Sequence, residues 1–166
     1  VGNTVNLDGN TTNTIVGNLV VASSAMSGHS SYTHGYLSGR ATATNHIERL
    51  PFASDAGTTD VGDLAVALGY ATGTSSNTHG YTCSGGTGGG KNHIQKFAYA
   101  ASSNATDIAD LLVATGNRTA CASVVSGYII GGAADKTLIE KFSFVTDGAS
   151  TDVGNMTANR EQPGGW

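Results

Sequence analysis

NHIERLPFASDAGTTDVGDL, residues 45–64, is written twice more in the same chain, as NHIQKFAYAASSNATDIADL at 92–111 and TLIEKFSFVTDGASTDVGNM at 137–156. Landmarks inside and outside this stretch set a common period. Ile47, Ile94 and Ile139 are 47 and 45 residues apart. Tyr36, Tyr81 and Tyr128, each preceded by Gly, are 45 and 47 apart. Leu19, Leu64, Leu111 and Met156 are 45, 47 and 45 apart. Agreement among independent landmarks identifies an internal repeat, and the length of the repeat governs every later reading.

Each copy reads as four short strands. The first is small and polar (VVASSAMSGHSS, AVALGYATGTSS, LVATGNRTACAS) and the second is HGYLSG, HGYTCSGG or SGYIIGG. In the third, Leu50 and Phe52, Phe97 and Tyr99, or Phe142 and Phe144 alternate with smaller residues. A period of two marks a strand with one buried face. Ile47 is out of phase with Leu50 and Phe52, which predicts a bulge early in this strand. Asp-x-Gly turn chemistry then leads into a short fourth strand. Helix is a poor alternative, because there is no sustained 3.6-residue apolar period and Gly and β-branched residues are abundant.

Four strands in a unit of roughly 40–50 residues is the pattern of a β-propeller blade. The small first strand fits a crowded inner position, and the aromatic third strand a roomier outer one. A parallel β-helix is the main rival, but its coils are usually shorter. The expected architecture is therefore an all-β single repeat array over 1–166, built of four-stranded antiparallel sheets. Its units are a partial blade at 1–19, blades at 20–64, 65–111 and 112–156, and the start of a further blade at 157–166. About three and a half blades do not close a ring, since propellers typically have about four to eight. A longer chain or a partner chain is expected to complete it.

Composition narrows the function classes. Only 12% of the 166 residues are charged and the formal net charge is −4, which argues against a nucleic-acid or acidic-membrane partner. No stretch approaches the ~20 apolar residues of a membrane-spanning helix, and no secretory signal opens the sequence. The two cysteines, Cys83 and Cys121, fall at different points of the repeat and form no disulfide framework.

The order of hydrophobic strand, Gly-Gly, N-x-I-E-K-F and turn resembles the kelch repeat. In that family a Gly pair ends the second strand and a third-strand aromatic packs between blades. Gly85–Gly86 and Gly131–Gly132 match the pair, and the first copy departs with Gly39–Arg40. Phe97 and Phe142 match the aromatic, with Leu50 in its place in the first copy. The fourth-strand Trp of the family is replaced by Val61, Ile108 and Val153. HGYTCSGG, NHIQKFAYAASSNATDIADL and IEKFSFVTDGASTDVGNMT also resemble degenerate repeats of virion structural or tail-fibre proteins of tailed phages, particularly marine ones, over nearly the whole chain. That resemblance implies a scaffold on a virion or in an extracellular setting, and names no chemistry.

Candidate site residues follow the repeat. Asp55, Asp60, Asp63, Asp107, Asp110, Asp147 and Asp152 could offer oxygen ligands to Ca²⁺. Their spacing is not that of an EF-hand loop, and Asp is favoured in turns for its bonds to local backbone. SDAGTT resembles the structural Asp-box of sialidase propellers. A sialidase needs converging arginines, whereas Arg40, Arg49, Arg118 and Arg160 occupy four phases of the repeat. His34 with His79, and His46 with His93, sit at equivalent points of separate copies and are lost at Ser126 and Leu138 in the third, so they are not expected to converge on one metal. Cys83 and Cys121 read as small strand residues without a neighbouring base. TGGGK at 87–91 lacks P-loop spacing. Asn10, Asn104, Asn117 and Asn155 open N-x-Thr triplets, which a Thr-rich chain produces by chance.

The expectation is thus a non-enzymatic structural or adhesion module with no catalytic residues, no metal and no cofactor, and with ligand-binding residues unassigned. Its partners would be proteins of a larger assembly or a host-surface glycan, without nucleic acid or membrane insertion. The alternatives are a carbohydrate-binding propeller, for which Tyr32, Tyr36, Tyr70, Tyr81 and Tyr128 are the available aromatic platforms, and, third, a propeller glycoside hydrolase. Recognition is expected where the copies differ, in the second-to-third-strand loops at 41–44, 87–90 and 133–136, where Arg40, Lys91 and Lys136 add charge.

Overall fold

The computed structural model describes residues 17–42, 44–86, 89–134 and 137–160. The expected partial blade at 1–19 and the start of a further one at 157–166 lie largely outside the described residues, as do Asn10 and Lys136. Among the described residues the chain forms twelve strands and no helix. They are β1 Ser27–Ser30, β2 His34–Ser38, β3 His46–Pro51, β4 Thr59–Asp63, β5 Thr72–Ser75, β6 His79–Gly85, β7 Lys91–Ala98, β8 Thr106–Asp110, β9 Thr119–Ala122, β10 Ser126–Ile130, β11 Leu138–Ser143 and β12 Thr151–Asn155. They make three separate four-stranded sheets, β1–β4, β5–β8 and β9–β12, each in sequence order and antiparallel throughout.

Packing between sheets supplies the core. The first strands of successive sheets lie together, β1 against β5 and β5 against β9, and their Ser, Gly, Thr and Ala side chains permit that approach. Further out, Tyr36 of the first sheet stacks on Tyr99 of the second at 4.6 Å and meets Phe97 at 5.7 Å. Tyr81 of the second sheet repeats this against Phe144 at 4.6 Å and Phe142 at 5.5 Å in the third. Offset and tilted pairs of this kind gain energy beyond their buried area. Ile47, Leu64 and Leu68 complete one cluster, and Cys83, Ile94, Leu111 and Ile129 the other.

The Gly-Tyr motif has a steric cause. A Cβ on Gly80 would lie 2.3 Å from the Phe97 ring, and one on Gly127 2.6 Å from that of Phe142. The glycine makes room for the aromatic of the strand alongside, which in turn covers the neighbouring sheet's Tyr. A second repeated device ties sheet to sheet at the outer strands: Ala105 N–H donates to the carbonyl of Asp63 and Ser150 to that of Asp110, at 2.7 and 3.1 Å, and Thr58 makes the equivalent bond to Asn18, which precedes the first sheet, at 2.9 Å.

The bulge expected from the phase of Ile47 is present in every copy, as a register shift at Ile47/Glu48, Ile94/Gln95 and Ile139/Glu140. The Gly pair needs correction. The left-handed residue ending the second strand is Gly39 (φ 62°), Ser84 (φ 59°) and Gly131 (φ 66°), followed by Arg40, Gly85 (φ 117°) and Gly132 (φ 122°). The second copy therefore carries Ser84–Gly85 at the equivalent positions, and Gly86 is one residue beyond. The β6–β7 register shifts between Cys83 and Gly85 to absorb it.

Candidate functional site

Two sets of turns meet at one end of the sheets. The turn into each first strand passes through a left-handed residue that is not glycine: Ala25 (φ 51°), Tyr70 (φ 54°) and Asn117 (φ 59°). Such a conformation strains an L-residue, and its recurrence at three equivalent positions makes it a property of the repeat. What changes between copies is the side chain mounted there. The second turn set is formed by the second-to-third-strand loops. Gly85 N–H donates to the Thr115 carbonyl at 3.1 Å and Ala134 N–H to Thr115 Oγ1 at 3.1 Å, so the loops of the second and third sheets are pinned to the turn entering β9.

Between these turns lies an open cleft of about 680 Å³, bordered by Tyr70, Gly89, Gly90, Thr115, Asn117 and Ala134. Its floor is built on missing side chains: a Cβ on Gly90 would sit 2.0 Å from the Ala114 carbonyl oxygen. Tyr70 is 42% exposed on the rim. No carboxylate, imidazole, thiol or ammonium group occurs among the described lining residues, leaving the Tyr70 phenol as their one ionisable group.

The ionisable residues lie elsewhere, in two repeated arrangements. The first is buried in the sheets. Arg40 donates to Glu48, and Arg118 Nη1 donates to Glu140 at 2.8 Å, with side chains no more than 1% exposed in either pair. Glu48 also accepts from Val20 N–H at 3.1 Å and Thr58 Oγ1 at 2.5 Å; Glu140 accepts from Leu112 N–H at 2.9 Å and Ser150 Oγ at 2.6 Å. The second copy has Gln95 at this position, and its amide bonds both Val66 N–H (2.8 Å) and Val66 C=O (2.9 Å). The carbonyls equivalent to that of Val66 accept from the arginines instead, Val21 from Arg40 at 3.2 Å and Val113 from Arg118 at 3.4 Å. One amide thus serves where a carboxylate and a guanidinium serve together. Closed to solvent, these groups hold the turn into the first strand, although Arg40 Nε and Arg118 Nε and Nη2 are buried without a hydrogen-bond partner. They were missed in the sequence, where the signal was Glu48, Gln95 and Glu140, each directly after the recurrent isoleucine of the third strand.

The second arrangement is at the surface. His46 Nδ1 is 3.0 Å from Asp60 and 3.9 Å from Asp63; His93 Nδ1 is 2.6 Å from Asp107 and 3.8 Å from Asp110. Ligand atoms of His93, Asp107 and Asp110 lie within 4.8 Å of one another, a spacing that could hold a metal ion. Sequence reasoning had treated the histidines and aspartates separately, and the third-strand bulge is what brings them together. Each histidine stays with the aspartates of its own sheet, and the third copy has Leu138, Asp152 and Asn155 there. Asp60 and Asp152 also accept a hydrogen bond from the N–H of Gly62 and Gly154, at 3.2 and 2.8 Å, the turn bonding of an Asx residue. His34 and His79 bond the adjacent Thr33 and Thr78 hydroxyls, each at 2.8 Å, and Asp147 pairs with Lys96 at 2.7 Å. Asp55 is exposed in the segment between β3 and β4.

His29 is a further buried group that sequence reasoning did not single out. Its Nδ1 lies 3.1 Å from the Thr74 carbonyl oxygen and its Nε2 2.8 Å from Ser38 Oγ, while its ring stands edge-on to Phe97 at 5.1 Å. Burial disfavours the imidazolium and lowers its pKa to about 4. Burial likewise raises the Cys83 thiol well above its ordinary range, so Cys83 is held as an unreactive thiol. Cys121 is half-buried in β9, and both cysteines are free.

No protein-family model matches the chain, and no curated protein does. Among solved structures, that of YjhT superposes with a TM-score of 0.70 at 13% sequence identity, covering 84% of this chain and 53% of that one. The chain spans about half the length of that protein, and the likeness is one of fold.

Proposed function

We propose that the three sheets are blades of a kelch-like β-propeller that serves as a non-enzymatic recognition scaffold. A virion or tail-fibre component of a tailed phage, assembled with further protein and exposed to a host surface, is the setting this reading favours. The observation that carries it is the composition of the cleft beside the variable loops: an aromatic rim, a backbone floor and no carboxylate, imidazole, thiol or ammonium group among the described lining residues. General acid–base and nucleophilic catalysis need such groups within hydrogen-bond reach of the reacting atoms. The buried Arg–Glu pairs are spent on structure. The string resemblance to phage repeats supports the setting, and rigid repeats with variable loops suit recognition.

The test replaces residues 41–44, 87–90 and 133–136 with Gly-Ser and measures assembly and host adsorption. Adsorption that survives in a folded variant refutes recognition by this face. A carbohydrate-binding propeller is the second reading, and the exposed Tyr70 ring at the cleft is what favours it.

A further inference from the structure

We infer that the cleft between the second and third sheets binds a neutral saccharide unit, with Tyr70 as its stacking platform. This rests on the recognition reading above and assigns it a ligand class and a place.

Three observations converge on it. The first is size and form: at about 680 Å³ the cleft is within the ~300–1,000 Å³ of small-molecule sites, and it is open enough to admit the end of a chain. The second is chemistry. A pyranose has an apolar C–H face and an equatorial belt of hydroxyls, so it wants an aromatic face on one side and hydrogen-bonding groups around it. Tyr70 offers the ring, 42% exposed. Asn117 and the backbone of Gly89, Gly90 and Ala134 border the same space. Charge selects within the class: the described lining residues include no cationic group to compensate the desolvation of a carboxylate or phosphate.

The third observation is the comparison among copies. Ala25, Tyr70 and Asn117 have the same left-handed backbone, with φ of 51°, 54° and 59°. Backbone strain cannot account for an aromatic at the middle position, because Ala and Asn are accommodated in the same turn. The backbone makes the mount, and the side chain sets what the cleft contacts. Tyr32, although 87% exposed, lies on β1–β2 turn residues and borders a different, smaller depression with Ser30, Ser31, Ser76 and Asn77.

The experiment titrates the chain with methyl glycosides of glucose, galactose, mannose and N-acetylglucosamine, and with N-acetylneuraminic acid as the anionic comparison, by saturation-transfer NMR. At least one neutral glycoside should bind with a dissociation constant on the order of 1 mM, the range of a single sugar with few contacts. Tyr70→Asn, which copies the side chain the third turn already carries, should weaken binding about tenfold or more while leaving the melting curve unchanged. Tyr32→Ala should leave binding intact. Three results overturn the inference: no neutral glycoside bound up to ~50 mM, binding indifferent to Tyr70→Asn, or tighter binding of the acidic sugar. Loss of host adsorption on loop replacement, together with absent sugar binding, would retain the recognition face and remove only its saccharide ligand.

Discussion

Replacing Arg118 by Ala should destabilise the third sheet far more than loss of a surface ion pair would. Exposed pairs contribute ~0–1 kcal/mol. Arg118 and Glu140 are instead 1% and 0% exposed at the side chain, which places them in the buried regime. Removing one partner there costs about 3–5 kcal/mol, because the other charge is left without compensation. Leu112 N–H and Ser150 Oγ would remain on Glu140, at 2.9 and 2.6 Å, but neither carries a positive charge. At about 2–4 °C per kcal/mol for a domain of this size, the melting temperature should fall by roughly 6–20 °C. The second copy shows how to reverse the loss. It has Ala71 where the third has Arg118, and Gln95 where the third has Glu140. Its neutral amide satisfies both polar atoms of Val66. Arg118→Ala combined with Glu140→Gln should accordingly recover most of the stability lost in Arg118→Ala alone. Urea denaturation of wild type, both single variants and the double variant gives the coupling energy, expected at about 3 kcal/mol or more. Lost packing of the arginine stem is common to both arms of the cycle and cancels. Additive effects, or a cost below ~1 kcal/mol for Arg118→Ala, would refute the buried-pair reasoning.

Acid should weaken the fold through His29. Its folded pKa of about 4 lies below the unfolded 6.5, so its neutral form contributes stability above pH 6.5 that is lost as pH falls from 6.5 towards 4, in total about 3 kcal/mol. His29→Thr, which copies Thr74 of the second sheet, should flatten that part of the stability–pH curve measured by urea denaturation. Tyr81→Ala, at a position with 0% exposure, should cost roughly 3–5 kcal/mol, against about 1 kcal/mol for the half-buried Tyr128; equal losses would contradict the inter-sheet core. Gly80→Ala should cost about 1–3 kcal/mol in thermal melts by forcing the Phe97 ring from its seat, 2.3 Å from the added methyl. A thiol reagent should modify Cys121 in the native protein and reach Cys83 only on unfolding, because Cys83 is fully buried.

The sequence by itself determined the all-β class, the repeat and its four strands, because each is a local matter. Alternation at Phe97 and Tyr99 or Phe142 and Phe144 dictates a one-faced strand, and the out-of-phase Ile47 dictates a bulge. A period likewise shows that equivalent residues share equivalent surroundings. It is silent on how a copy departs from its neighbours. Arg40 follows the second strand and Arg118 precedes a first strand, yet both reach the same buried carboxylate position, 8 and 22 residues away along the chain. Only folding makes those two routes equivalent, since the guanidinium is long enough to enter one space from either side. The same holds for the one-residue displacement at Ser84–Gly85, which a register shift hides from a reading by motif. His46 and His93 meet their aspartates across a bulged strand pair, and Tyr70 meets the loops of two sheets at a cleft whose existence depends on the side chains that are missing. Contacts made across strands in the folded sheets decide these features, and no local pattern along the chain encodes them.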